Sequence, residues 1–193
     1  AEAFGTLAEL NPQRIDLGLG RAPGTDGPTM RALRRDRVES EEDFPRDVAE
    51  LERLLGPAQP GQRITAVPGA GTNVPIWLLG SSMYSAQLAA EKGLPYAFAS
   101  HFAPRFLMPA IEIYRARFKP SATLKKPYVM MGVPVIAAPT DEEAVFLASS
   151  TYQRVLGILT NQRGLLQPPV DRFMESIGPR EREAISDFLA IGV

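Results

Sequence analysis

The stretch from Pro75 to Pro95 constrains the fold more than any other part of this sequence. It begins with a short apolar run, Ile76–Leu79, which is typical of a buried strand. A Gly-Ser-Ser turn follows, and a good helix sequence then runs from Ser85 until glycine and proline end it at Gly93 and Pro95. Because the N–H groups of a first helical turn lack partners within the helix, such a turn is suited to bind an anion. We therefore expect it to hold the phosphate of a cofactor.

The rest of the chain continues this alternation of strand and helix. Predicted strands cover 14–20, 75–80, 96–101 and 128–138, and predicted helices cover 1–10, 44–55, 85–92, 104–118, 140–159 and 181–189. The sequence Thr140–Glu143 is a capping box, which predicts Thr140 as the N-cap of the helix over 140–159. Residues 59–74, rich in glycine and proline, are predicted to be either a loop excursion or a short hairpin over 63–67, and 30–42 is predicted to be a mobile, charged surface segment. Alternation of this kind indicates an α/β fold with parallel strands and crossover helices. Four strands fit either an open doubly wound sheet or half of a barrel.

Charge and composition narrow the class of partner. The 21 basic and 22 acidic residues give a net charge of −1 without a large basic run, which argues against nucleic acid and against an anionic membrane surface. No apolar run reaches the length of a membrane span. Zero cysteines and one histidine argue against a cysteine or multi-histidine metal site. We expect a cytoplasmic protein without a metal.

Both ends of the sequence lack the usual boundary signals. The helix predicted at Ala1 has neither an initiator methionine nor an N-cap, and the chain stops at Val193 within an apolar stretch. We therefore expect residues 1–193 to be an interior piece, or the ordered part, of a longer protein.

Polar residues follow three of the predicted strands at their carboxyl ends, where parallel sheets bind ligands. They are Arg21, then the serines Ser81, Ser82 and Ser85, then His101. If the first two strands are neighbours, Arg21 lies beside the serine turn, and the two form a phosphate cradle. In the alternative interpretation, the serines only cap the helix and Arg21 is a solvated surface residue. His101 could be a catalytic imidazole, but a packing residue is the favoured interpretation.

Two further alternatives stay open. Glycines at Gly18 and Gly20 leave one face of the first strand nearly bare, which indicates either the close approach of a ligand or simple packing. The same glycines invite a dinucleotide-binding interpretation, which we reject because the next glycine, Gly24, follows Pro23 in a loop where no helix can begin.

Several segments together resemble the bacterial luciferase-like flavin-dependent monooxygenases. They are Phe4–Leu7, NPQRIDLGLGR at 11–21, and Gly80–Pro95. Pro75–Ser82 and Phe98–Pro104 are similar to the alkanal monooxygenase-like branch of that family. Singly each segment is a weak signal, but in combination they are specific and cover essentially the whole chain.

The resemblance implies a (β/α)8 TIM barrel of the luciferase-like type, of which residues 1–193 would form a single partial domain containing strands four to seven. It implies reduced FMN as the cofactor, with Arg21, Ser81, Ser82 and Ser85 binding its phosphate. It further implies O2 and a small organic substrate such as an aldehyde, a separate flavin reductase, and a homodimer. The family's catalytic histidine lies in strands absent from this sequence, so catalytic residues stay unassigned.

Three other functions remain as alternatives: a non-catalytic flavin-binding protein, a deazaflavin-dependent oxidoreductase, and an unrelated enzyme acting on a phosphorylated metabolite.

Overall fold

A computed structural model describes residues 1–21, 32, 43–101, 103–162 and 164–189. Within these ranges its strands are β1 (Leu17–Gly20), β2 (Ile76–Gly80), β3 (Tyr96–Phe98) and β4 (Val129–Met131). Its helices are α1 (Glu2–Leu10), α2 (Phe44–Leu55), α3 (Met83–Lys92), α4 (Leu107–Arg117), α5 (Asp141–Leu159), α6 (Phe173–Ser176) and α7 (Pro179–Phe188), with a one-turn 3-10 helix at Pro104–Phe106. None of the helices in these ranges is long and apolar enough to cross a membrane.

The strands form one sheet in the order β1-β2-β3-β4, and β1 and β2 are parallel. Leu17 pairs with Ile76, and Gly20 pairs with Leu79. Strand neighbours in this sheet are also neighbours in the chain, as expected of successive β/α units. The predicted α/β class with a parallel sheet is confirmed.

The described residues group into two compact units. One consists of Ala1–Ala97 with Glu112–Met130, and the other consists of Phe98–Ile111 with Met131–Val193. The prediction of a single partial domain over 1–193 stays a prediction.

A side chain of the neighbouring strand fills the space beside Gly18. A Cβ atom added at Gly18 would lie 2.9 Å from Cδ1 of Leu79 on β2. Leu79 therefore occupies the space that the glycine leaves, which favours the packing interpretation of this position. On the same strand as Leu79, Trp77 is buried and its ring lies 5.2 Å from that of Tyr128.

Helix α3 ends where the sequence predicts, at a residue with left-handed backbone. Gly93 has φ 64° and ψ 36°, and its N–H donates to the carbonyl of Ala90 at 3.3 Å. The chain returns to this helix end after α4: Lys119 N–H donates to the same Ala90 carbonyl at 2.9 Å, and Ser121 Oγ donates to the Gly93 carbonyl at 2.9 Å. A segment distant in the chain thus forms hydrogen bonds with carbonyl groups at the C-terminus of α3.

In the second unit, α5 begins at the predicted N-cap. Thr140 Oγ1 accepts a hydrogen bond from the Glu143 N–H at 3.2 Å. The core of this unit lies between α5 and α7, where Val155, Ile185 and Leu189 are buried together.

All four predicted strands are longer than the observed ones; 96–101, for example, forms a strand only at Tyr96–Phe98. The strand expected over 128–138 is only three residues long, because Pro134 has no N–H to continue the ladder beyond Gly132, whose N–H still donates to Phe98 at 3.1 Å. The hairpin considered for 63–67 is absent from the described structure, which has a loop there. The charged segment over 30–42 lies outside the described residues, apart from residue 32.

Candidate functional site

Arg21 is the first residue after β1, and it reaches the start of α3. Its guanidinium carbon lies 4.4 Å from the centroid of the Tyr84 ring, and Tyr84 is the second residue of that helix. This distance is within the range of a cation–π contact. The parallel pairing of β1 with β2 explains the approach, because both strands end at the same edge of the sheet. The structure therefore brings Arg21 to the predicted turn.

The serines of the turn differ in what their side chains do. Ser82 is the exposed N-cap residue of α3, and within the described part of the chain its side chain makes no capping hydrogen bond. Ser81, just before it, is half-buried. The geometry thus does not support the interpretation of Ser82 as a side-chain cap, and it leaves both residues beside the first-turn N–H groups of the helix.

Ser85 points into the protein rather than out of the turn. It is buried, and its Oγ donates to the Ser82 carbonyl at 2.9 Å and lies 3.2 Å from Oη of Tyr96. Tyr96 Oη in turn lies 3.3 Å from the same Ser82 carbonyl. Because its hydroxyl hydrogen is donated to a carbonyl within the turn, Ser85 stabilises the conformation of the turn. Its assignment as a direct phosphate ligand stays a prediction that this geometry does not favour.

Tyr84 and Tyr96 are site residues that the sequence prediction missed. Tyr84 belongs to the stretch already singled out, but its contact with Arg21 depends on the register between two strands far apart in the chain. Tyr96 is fully buried, and its hydroxyl supports the turn from the neighbouring strand β3. Burial raises the pKa of Tyr96, and the hydrogen bond with Ser85 offsets part of that rise.

Replacing Tyr96 by phenylalanine should reduce the loss of stability at alkaline pH. Below about pH 10, the unfolded tyrosine keeps its proton and the full stability is present. Above that pH the phenol ionises first in the unfolded state, so the free energy of unfolding falls as the pH rises toward the raised pKa of the folded protein. Urea unfolding at about pH 8 and about pH 11 should show a larger decrease for wild type than for Tyr96→Phe. Equal decreases in the two proteins would contradict this assignment.

His101 lies on the surface in the second unit. A Cβ atom added at Gly132 would be 2.7 Å from His101 Nδ1, so the imidazole rests against this glycine. Ser100 Oγ donates to the Gly132 carbonyl at 2.8 Å and holds the adjoining backbone. The imidazole ring therefore packs against the residue that follows β4, and it is exposed rather than enclosed in the core.

In the described ranges, no three His, Asp or Glu side chains come together as metal ligands.

The comparisons with known proteins all indicate the same family. A family model described as "Luciferase-like monooxygenase" matches residues 1–185. The protein named "Luciferase-like monooxygenase" of Escherichia coli strain K12 is 48% identical over 193 residues, which is 100% of this chain and 58% of the relative. The uncharacterized protein YvbT of Bacillus subtilis strain 168 is 50% identical over 191 residues, covering 98% of this chain and 56% of that relative.

A more distant relative and a solved structure complete the comparison. The N-acetyl-S-alkylcysteine monooxygenase of Bacillus subtilis strain 168 is 35% identical over 103 residues, covering 51% of this chain and 31% of that protein. The crystal structure of apo-MsnO8 superposes with a TM-score of 0.76 at 30% identity, covering 100% of this chain and 66% of that structure. The chain spans somewhat more than half the length of the Escherichia coli relative and of YvbT.

Proposed function

Because this chain belongs to the luciferase-like monooxygenase family, we propose that it works in the oxygenation of a small organic molecule with reduced FMN and O2. An aldehyde is the first substrate to consider. In such a reaction one oxygen atom enters the substrate and the other leaves as water, while the reduced flavin is oxidised. Family membership supports this proposal, and the activity of the whole protein is inferred, since the chain spans 58% of its relative from Escherichia coli.

The contact between Arg21 and Tyr84 is the observation that supports a binding site for the cofactor's phosphate at the first turn of α3. Arg21 supplies a permanent positive charge, Ser81 and Ser82 supply hydroxyl groups, and the first turn of α3 supplies backbone N–H donors and the positive end of the helix dipole. This donor set fits a phosphate, which carries negative charge and several acceptor oxygens. In our proposal Arg21, Ser81 and Ser82 bind the FMN phosphate, and Ser85 holds the turn that presents them.

The remaining parts of the proposal concern the rest of the system. A separate reductase supplies the reduced FMN, the protein is a homodimer, and it is cytoplasmic. When bound, the reduced flavin supplies the electrons that activate O2. The residues described here anchor and orient the cofactor, and we assign no catalytic residue among them.

The proposal is tested by offering the intact protein FMN, riboflavin and a deazaflavin cofactor in separate fluorescence titrations. Chemically reduced FMN and isotopically labelled O2 are then added with an alkanal or with N-acetyl-S-alkylcysteine, the compound named in one relative. We expect the strongest binding for FMN and one labelled oxygen atom in the product.

Other results would identify the alternatives. FMN binding without oxygen transfer from any substrate tested would favour a flavin-binding protein that lacks catalysis. Preference for the deazaflavin would favour hydride transfer with that cofactor. A protein that binds neither flavin but does bind a sugar phosphate would overturn the proposal in favour of an unrelated metabolite enzyme.

A further inference from the structure

The side chain of Arg21 lies against the aromatic ring of Tyr84. Arg21 is exposed, and an exposed arginine ordinarily samples many rotamers. Here the guanidinium carbon lies 4.4 Å from the ring centroid of Tyr84. Electrostatic attraction to the face of a ring leaves the positive charge of a guanidinium in place, and a guanidinium is suited to bind a phosphate.

The helix start that carries Tyr84 is held by hydrogen bonds of neighbouring residues. The next residue along α3 is Ser85, which is buried and bonded to the Ser82 carbonyl at 2.9 Å. Oη of Tyr96 lies 3.3 Å from that carbonyl and braces the turn from β3. Tyr84 itself is half-buried. The ring therefore projects from a helix start that is held by hydrogen bonds, whereas Arg21 comes from the end of a different strand.

We infer that Tyr84 is a positioning residue, whose ring holds the Arg21 guanidinium over the first turn of α3 and so makes the site selective for ligands with a terminal phosphate. The inference deepens the proposed function and rests on it. Tyr84 acts through Arg21 and not by contact with the flavin ring. Its effect should therefore appear only for ligands that carry a phosphate, and only while Arg21 is present.

The test measures dissociation constants of FMN and riboflavin, which lacks the phosphate, for the intact protein. Tyr84→Leu removes the aromatic face and keeps a helix-forming side chain. It should weaken FMN binding by about two- to fivefold, as expected for loss of an exposed cation–π contact, and leave riboflavin binding unchanged. Tyr84→Phe, which keeps the ring, should restore most of the FMN affinity lost in Tyr84→Leu.

A double-mutant cycle with Arg21→Ala separates positioning from general damage to the helix. In the Arg21→Ala background, Tyr84→Leu should cause no further loss of FMN affinity. An equal loss in both backgrounds, or an equal loss for riboflavin, would overturn the positioning role. Unchanged FMN affinity in Tyr84→Leu, while Arg21→Ala binds more weakly, would overturn this inference alone. A wild-type protein that binds FMN no better than riboflavin would overturn the proposed phosphate site, and the role of Tyr84 with it.

Discussion

Replacing Arg21 by alanine should weaken FMN binding by about 1.5–3 kcal/mol, which is roughly ten- to 150-fold in the dissociation constant. This is the expected cost of losing a hydrogen bond in which one partner is charged. The guanidinium lies at the first turn of α3, where the helix dipole also favours a negatively charged group. Fluorescence titration of the intact protein with FMN measures the change. Riboflavin should bind wild type and Arg21→Ala equally well.

Arg53→Ala provides a matched control for the loss of one positive charge. Arg53 lies in the last turn of α2, partly exposed, and its guanidinium is 3.7 Å from a carboxylate oxygen of Glu50. Its replacement should leave the affinity for FMN unchanged, because a surface ion pair of this kind contributes little. Equal FMN affinities for Arg21→Ala and wild type would remove Arg21 from the site. Comparable losses in both variants would indicate a long-range effect of net charge, which added salt should abolish.

Gly93→Ala should lower the free energy of unfolding by about 2–5 kcal/mol. Left-handed backbone at this residue costs a side chain with a Cβ atom about 1–2 kcal/mol, and overpacking adds about 1–3 kcal/mol. The overpacking arises because the new Cβ atom would overlap the Lys119 carbonyl oxygen and lie 2.8 Å from Cβ of Ser121. Both belong to the segment that closes the end of α3, so neither can move without breaking its hydrogen bonds. Urea unfolding of the two proteins at neutral pH measures the difference.

Gly164→Ala is the matched control for this substitution. In the described part of the chain, no atom lies within 4 Å of a Cβ placed at Gly164. The free energy of unfolding should therefore change by no more than about 0.5 kcal/mol. A similarly small change for Gly93→Ala would show that the segment at Lys119 and Ser121 yields easily, and that the end of α3 is less constrained than its contacts indicate.

The elements that sequence analysis predicted correctly are those with strong local signals. The Thr140 N-cap, the Gly93 stop and the apolar run of β2 each depend on a few neighbouring residues. Prediction was weakest where hydrogen bonding to a partner strand decides whether a segment forms a strand. The strand after Tyr128 ends early because Pro134 lacks the N–H that the next hydrogen bond to the partner strand would need, and 63–67 forms a loop although its β-branched residues favour a strand.

In the candidate site, too, some features could be predicted from local sequence and others could not. Arg21 and the serine turn could be identified because each follows a recognisable strand and because the segments around them resemble one family, a resemblance that the comparisons confirm. The separate roles of the serines could not be predicted, since they depend on side-chain direction. Ser82 is exposed at the N-cap, whereas Ser85 turns inward to Tyr96, which comes from the next strand.

By itself the sequence determined the family, the parallel α/β class and the turn between Gly80 and Ser85 as the anion-binding candidate. These follow from local patterns of apolar residues, glycines and serines, which act over a few residues of chain. Only the tertiary structure decided that Arg21 meets Tyr84 and that Ser85 braces the turn against Tyr96. The physical reason is that strand register and side-chain direction are set by packing between segments tens of residues apart, and no local pattern encodes such a distance.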